Sequence, residues 1–539
     1  MKTGSAPANP TTRLRDRLGR WTWVAAAVAL LMAGVAIRVV ALDQRQMFKD
    51  EGASWLVSSY DPPGLIAHAM TDLHPPLYEL LLHAWIGAFG DGLATMRLLS
   101  VLLGIGVVLV AWRWGHEAVG RRWGLVVLAA AALSGLALED SREVRFHVLE
   151  VLFATVAWWL IWRIARPGAP GRHPVAAAML AVAVTGQLWT SPIGVPTVAL
   201  QGLFVLAVVA HRRSPGGAAS LVAILVACVA YLPWLPVQVG VVLHGPPFWA
   251  DVPGPLLLPY AFDTQLMGRG HTRTAPILAG IVLLAIAALG AIDLLIARHR
   301  SVERRAQDRF LAWVVVASLS LVPLVWLYSQ VHSTWDVGYF GNVIGALGIA
   351  LAAGGRAIAR RMPRRRTAVA FTIAAAVVMV LGLSAVQRLG QRLADEDLTP
   401  AREVYAAVAP VAGADDLVLA TDARSYFALA WLVGRRSDPL PLTAPLFAWS
   451  PADHLIAIGQ GLLRPETTLD EAEVAAAGGW RGLAPGLARG GRVFLVDLED
   501  DAQNAIGFGP LDRGELVEIA RHDITYAGRT AQVRELVAP

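Results

Sequence analysis

The sequence predicts a mainly α-helical, polytopic membrane protein of about eleven spans with a C-terminal extracytoplasmic α/β domain. Three observations predict it. Of 539 residues, 55% are hydrophobic and only 16% charged, with a mean hydropathy of +0.52, whereas a soluble domain carries about 25% charged residues. Apolar runs of spanning length recur up to about residue 387. The segments joining them alternate in charge.

The spans read as 21–42, 93–113, 123–138, 147–165, 174–190, 195–210, 219–239, 277–297, 310–330, 339–355 and 367–387. A basic N-terminal segment, 1–20, precedes "WTWVAAAVALLMAGVAIRVVAL". That run has the length of a span and no clear small-residue cleavage site, so it reads as an uncleaved first helix. The joining segments at 1–20, 113–122, 163–173, 211–213, 298–309 and 356–366 hold 24 Lys and Arg. The opposite set, 43–92, 139–146, 191–194, 240–276 and 331–338, holds six. Positive loops stay in the cytoplasm, which places the N-terminus inside and, after an odd number of spans, the C-terminus outside. The expected location is the plasma membrane. The clusters that raise the net charge to +5, such as "RRMPRRR" at 360–366, are then membrane anchors and not a nucleic-acid surface.

"PPLYELLLHAWIGAF", 75–89, is apolar but short: fifteen residues rise about 22 Å against a core of about 30 Å. Counting it as a span would also reverse every later loop. It reads as a helix lying along the outer interface, capped by Asp72, with Pro75 or Pro76 in its first turn. The membrane module thus covers 21–389, with a first extracytoplasmic loop at 43–92. From about 390 to 539 the composition turns polar. β-like runs at 416–422 and 492–500 alternate with helical stretches, and 434–491 is rich in Gly and Pro. The lone Cys228 lies in an apolar run, which excludes a disulfide framework and a Cys-based metal site.

Charges at the membrane boundary are expensive and commonly functional. Here they gather in two clusters on the predicted outer side: Lys49-Asp50-Glu51 with Asp72 and His74, and "LEDSREVRFH", 138–147. Together they offer carboxylates that can take a proton from a hydroxyl, and arginines whose planar fork suits a phosphate. Each piece also has a plain reading. Asp50 and Glu51 can be a solvated helix cap, His74 a cap of the Pro-Pro helix, and Arg142, Glu143 and Arg145 interfacial anchors that pair with one another. Arg38, inside the first span, can snorkel outward.

The order of the motifs adds to this. Asp50-Glu51 after the first span, "HPPLYELLLHAW" at 74–85, "MRLLSVLLG" at 96–104, Ser141-Arg142-Glu143-Val144-Arg145-Phe146-His147 opening the fourth span, and "YLPWLPV" at 231–237 together resemble the GT-C fold glycosyltransferases. The resemblance is to the group related to protein O-mannosyltransferases and the lipid A aminoarabinose transferase. It covers about 21–390 and is strongest at 45–165. It implies a sugar donor linked to polyprenyl phosphate in the outer leaflet, an acceptor hydroxyl of unknown kind, and one-step inverting displacement. It implies Asp50 as general base with Glu51 supporting it, and Arg145, with Arg142, stabilising the leaving phosphate. Lys49, His74, Tyr78, Glu143 and Tyr339 would line the substrate site. There are departures. The family's usual Gln and Tyr are Arg142 and His147 here, and Gly338 precedes Tyr339 where family members often carry an arginine. Arg142, Arg269 or Arg273 are the candidates to replace that arginine. No cofactor is certain. No metal-ligand set with clear spacing is visible, and a divalent metal to which Asp50 and Glu51 contribute stays open.

The alternative function is a polytopic transporter or lipid flippase of cell-envelope precursors. That class commonly shows charged or broken helices near mid-bilayer and two similar halves. Here the charges sit at span ends, and no internal repeat is visible.

Overall fold

The computed structural model describes residues 10–45, 47, 49–70, 74–169, 174–212, 214–244, 252–269, 274–296, 301–362, 366–394, 401–421, 423–436, 439–449, 468–498, 509–526 and 529–539. The chain is a multi-pass helical bundle that ends in a mixed β-sheet. The first long helix, α1, runs Pro10–Val39. It starts earlier and stops sooner than the predicted span, because no proline or glycine breaks the polar stretch from Thr11 to Leu18.

Three short helices follow: α2 (Lys49–Ser59), α3 (Pro62–Ala69) and α4 (Leu77–Phe89). α4 is the Pro-Pro helix, with Pro76 at its N-cap. The Asp72 cap lies outside the described residues. The bundle continues with α5 (Leu93–Val119), α6 (Arg121–Leu133), α7 (Gly135–Asp140), α8 (His147–Ala165), α9 (Pro174–Thr190), α10 (Gly194–Arg212), α11 (Pro215–Tyr231) and α12 (Leu235–His244). After these come α13 (Leu257–Met267), α14 (Thr274–Ile296), α15 (Val302–Leu319) and α16 (Leu321–Tyr328). A 3-10 turn at Val337–Val343 leads into α17 (Ile344–Arg361), and α18 (Arg366–Ala394) follows.

Among the described residues eight helical stretches are long and apolar enough to cross a membrane. Each of the eleven predicted spans coincides with a helix or with two consecutive helices. The three outside that set of eight fall on α6, on α9 and on the α11–α12 pair. Three predicted spans are broken: 219–239 at Leu232-Pro233-Trp234, where a proline interrupts it, and 123–138 at Ser134 and 310–330 at Ser320, where only a serine stands in the apolar run. α6 and α17 form the middle of the bundle, buried along almost their whole length. α1, α14 and α18 keep broad apolar faces exposed, as lipid-facing helices do.

The C-terminal region opens with α19 (Ala401–Val408), β1 (Leu417–Ala420), α20 (Ala423–Gly434), β2 (Leu446–Trp449) and β3 (Thr468–Leu469), and goes on to β4 (Val493–Asp497), β5 (Val517–Tyr526) and β6 (Arg529–Val537). The six strands lie in the order β3-β2-β1-β4-β6-β5. β1 runs parallel to β2 and β4, while β6 is antiparallel to β4 and β5. The two β-like runs of the sequence are thus neighbours, with Val418 opposite Phe494. Both are almost fully buried, which is why they read as continuous apolar runs.

One apolar core joins this region to the loop helices. Met47, Trp55 and Leu56 near or on α2, Leu82 on α4, Phe146 before α8, and Tyr426, Phe427 and Trp431 on α20 belong to it. α2 and α20 approach closely at Gly52, where a β-carbon would lie 2.7 Å from the Phe427 Cβ. Asp91 pins the contact by accepting from Trp55 Nε1 at 3.3 Å and from the Arg436 amide at 2.7 Å. Its backbone oxygen accepts from Trp431 Nε1 at 3.2 Å.

Candidate active site

The site forms where α1 ends and α8 begins, under the loop helices. α2 starts at Lys49, with Asp50 and Glu51 in its first turn, where carboxylates complement the helix dipole. The two acids then part ways. Glu51 is fully buried. Arg97 of α5 grips it with two hydrogen bonds, Nε to Oε1 at 2.9 Å and Nη2 to Oε2 at 2.6 Å. The Val144 amide donates to Oε1 at 3.0 Å. Arg97 also donates to the Leu42 and Arg45 carbonyls at 2.6 and 2.8 Å. Glu51 therefore ties α2 to α5, to the chain after α1 and to the turn before α8.

Asp50 is half-buried, and among the described residues no hydrogen bond or ion pair engages its carboxylate. Its backbone oxygen accepts from Arg145 Nη1 at 3.4 Å. Arg145 lies over the Phe146 ring, 5.0 Å from its centroid. The His74 ring lies 4.3 Å from that of Phe146. His147 is 4.2 Å from Phe146 and 5.7 Å from Tyr339. Asp50, Arg145, His74, His147 and Tyr339 are thus linked through one aromatic chain.

Tyr78 stands behind this group. It is completely buried, with its hydroxyl 3.2 Å from Ser100 Oγ, and burial pushes the phenol upward. It is enclosed in the interior and does not face an open site. Lys49 opens α2, and its side chain lies outside the described residues.

Arg142 is placed differently from the phosphate role that the family likeness suggested. Its Nη1 donates to the carbonyls of Ile37, Arg38 and Val40 at 2.6, 3.1 and 2.8 Å, and its Nη2 to Ala41 at 3.2 Å. It closes the C-terminal end of α1, where a cation meets the negative end of the dipole.

Arg38 does not snorkel. It is buried in the bundle and donates to Ser141 Oγ and to the Gly34, Ala131, Ala132 and Ala137 carbonyls. The break of α6 at Ser134 frees helix-end carbonyls there, and a guanidinium satisfies them better than the membrane boundary would.

Glu143 reaches partners distant in sequence. It lies between Arg45 at 3.9 Å and Arg269 at 4.0 Å. Arg269, in the turn after α13, also meets Asp140 at 3.3 Å and Glu139 at 3.9 Å. Burial opposes its charge, but Glu143, Asp140, Glu139 and Asp336 together push its basicity above the ordinary value. The Arg269 guanidinium packs against Gly338, filling the space that a side chain there would take. Of the three arginines considered for the missing one beside Tyr339, Arg269 is the one found at that place. Arg273 lies outside the described residues.

A divalent metal on the Asp50-Glu51 pair does not fit, because Arg97 and Val144 engage both Glu51 oxygens in a closed interior. Among the described residues no group of three or more His, Cys, Asp or Glu forms a candidate metal set.

No family model and no curated protein matches the sequence. Solved structures do match. ArnT from Cupriavidus metallidurans in the apo state aligns with a TM-score of 0.63 at 14% identity, over 96% of this chain and 98% of that one. The same protein bound to undecaprenyl phosphate aligns with a TM-score of 0.62 at 14% identity, over 95% and 98%. The likeness spans both the helical bundle and the strand-containing C-terminal region, and the chain has the fold of ArnT.

Proposed function

We propose that this chain is a membrane glycosyltransferase that moves a sugar from a polyprenyl-phosphate carrier to an acceptor hydroxyl on the extracytoplasmic side. The observation that carries the reading is the unengaged carboxylate of half-buried Asp50, whose backbone oxygen Arg145 contacts, in a fold shared with a protein solved with undecaprenyl phosphate.

Asp50 takes the proton of the acceptor hydroxyl as its oxygen attacks the anomeric carbon. The bond from that carbon to the phosphate oxygen breaks, and its electron pair leaves with the lipid phosphate. The displacement inverts the anomeric centre. Arg145 and Arg269 stabilise the charge growing on the phosphate, an interaction that strengthens in the transition state. His74, His147 and Tyr339 form an aromatic wall suited to a sugar ring. Glu51 is the strut that fixes the helix carrying Asp50. Glu143 spaces Arg45 from Arg269. The few positive residues on the Asp50 side, against the arginine-rich opposite ends, support its assignment to the outer leaflet.

The test is sugar transfer in vitro from polyprenyl-phosphate donors, with Asp50→Asn as control. Transfer that persists undiminished in the variant refutes the base. Movement of lipid substrate across liposomes without any glycosidic product refutes the transferase reading in favour of transport.

A further inference from the structure

Arg269 is surrounded by more negative charge than it can balance. Asp140 and Glu139 contact it, Glu143 lies at 4.0 Å, and Asp336 adds to the field. Arg388 of α18 shares Glu139 at 3.4 Å, and Arg45 shares Glu143 at 3.9 Å. A lipid phosphate arriving here would add one or two further negative charges. Something must yield, and the geometry singles out Asp140.

Asp140 is 1% exposed. Its Oδ1 accepts from Arg269, but its Oδ2 has no partner among the described residues. It lines a small cavity together with Gln265, Ser141, Arg38 and Gly341. The backbone of the 3-10 turn presses on it: a β-carbon on Gly341 would lie 2.9 Å from Oδ2. Gln265, also 1% exposed, lines the same cavity, and its Oε1 has no partner either. Its amide nitrogen is taken by its own helix, at the Ala261 carbonyl. Arg38 from α1 has its donors committed to Ser141 and four backbone oxygens. Two buried acceptors on residues lining one cavity, neither with a partner among the described residues, are costly. In the free protein the Arg269 contact offsets this cost; once a phosphate draws on Arg269, a proton on Asp140 gives the cavity the donor it lacks.

We infer that Asp140 is a positioning residue that takes up a proton as lipid phosphate binds at Arg269, withdrawing one carboxylate from the guanidinium while the phosphate engages it. The inference rests on the phosphate site proposed above. The carboxylates facing Asp140 agree in direction, and the Arg269 guanidinium opposes them. Burial pushes its carboxyl well above the usual range, Arg269 opposes this, and Glu143, Glu139 and Asp336 add to it. A phosphate would push it the same way. The proton comes from solvent, no covalent bond changes, and the proton returns when the phosphate leaves. Because Asp140 binds its proton more tightly in the complex, affinity falls as pH rises between its free and bound values.

The experiment is calorimetric titration of the full-length protein in detergent with a short-chain polyprenyl phosphate, in two buffers of different ionisation heat. Wild type takes up about one proton more than Asp140→Asn, the variant serving to subtract the titration of the phosphate itself. Equal proton exchange in both overturns the inference and leaves the transferase reading standing. Failure of the wild type to bind the lipid overturns that reading instead. If the variant does not fold, infrared difference spectra of wild type labelled at aspartate decide the matter. A protonated-carboxyl band that grows on adding the lipid supports the inference, and its absence overturns it.

Discussion

The two acidic corners of the site are built on opposite plans. At residues 50–51 one carboxylate is saturated and its neighbour is left open: Glu51 is sealed by Arg97 and Val144, and Asp50 is half-buried with its carboxylate unengaged. At residues 139–143 three carboxylates converge on one guanidinium, and none holds it alone. The first corner separates holding from reacting by giving each task its own residue. The second leaves its charges shared, so that a ligand can redistribute them. Sequence adjacency hides this difference, since Asp50 and Glu51 are the same kind of acid one residue apart.

The comparison breaks most strongly at Arg97. Removing it in Arg97→Ala leaves Glu51 as a buried unpaired charge, a loss of about 3–5 kcal/mol. Thermal unfolding in detergent should show a large drop, and an unchanged midpoint would contradict the strut. Arg142→Gln comes next. It removes donors to four carbonyls at the end of α1, and charge-assisted hydrogen bonds are each worth about 1.5–3 kcal/mol. The outcome expected is lost stability with the KM for lipid donor little changed; a raised KM at full stability would instead make it a phosphate ligand.

Gly52→Val tests whether the C-terminal region braces α2. The branched side chain must enter the space of Phe427, an overpacking cost of about 1–3 kcal/mol. Its signature is a fall in transfer that Phe427→Ala partly restores.

The smallest effect lies far from the site. Asp416 is pushed up by burial, but the Arg492 and Gly413 amides and the Arg492 guanidinium outweigh this and lower it. A lowered carboxyl stabilises above its unfolded value of about 3.9, and that gain is lost as pH falls through the folded value. With solvent screening it is below about 1 kcal/mol. Asp416→Asn should flatten the acid side of the unfolding curve slightly.

Much of the fold was legible because its signals are local. Hydropathy marked the helices, the bias of Arg and Lys marked their ends, and the runs at 416–422 and 492–500 marked the two central strands. The short α4 was separable from a span by length and charge parity. The helix breaks at Ser134 and Ser320 were not legible, since the apolar pattern runs straight through them.

The site was half legible. Asp50, Glu51, His74, Arg145 and Tyr339 stood out as polar or aromatic groups at span ends in a recognisable order. What the arginines do was not, because it depends on partners distant in sequence: Arg38 on Ala132, Arg97 on Glu51, Arg142 on Ile37. Arg97 was visible as a charge opening an apolar span, which was the available signal that it had a buried partner. Arg269 lies in a loop without periodicity, and only the glycine at 338 hinted at it.

The most direct test sets the adjacent acids against each other. Asp50→Asn and Glu51→Gln are compared for sugar transfer from a polyprenyl-phosphate donor and for thermal unfolding. The account predicts that Asp50→Asn loses about 10²–10⁴-fold in transfer with its unfolding midpoint unchanged, while Glu51→Gln lowers the midpoint. Transfer undiminished in Asp50→Asn, or lost in Glu51→Gln with stability intact, would contradict it.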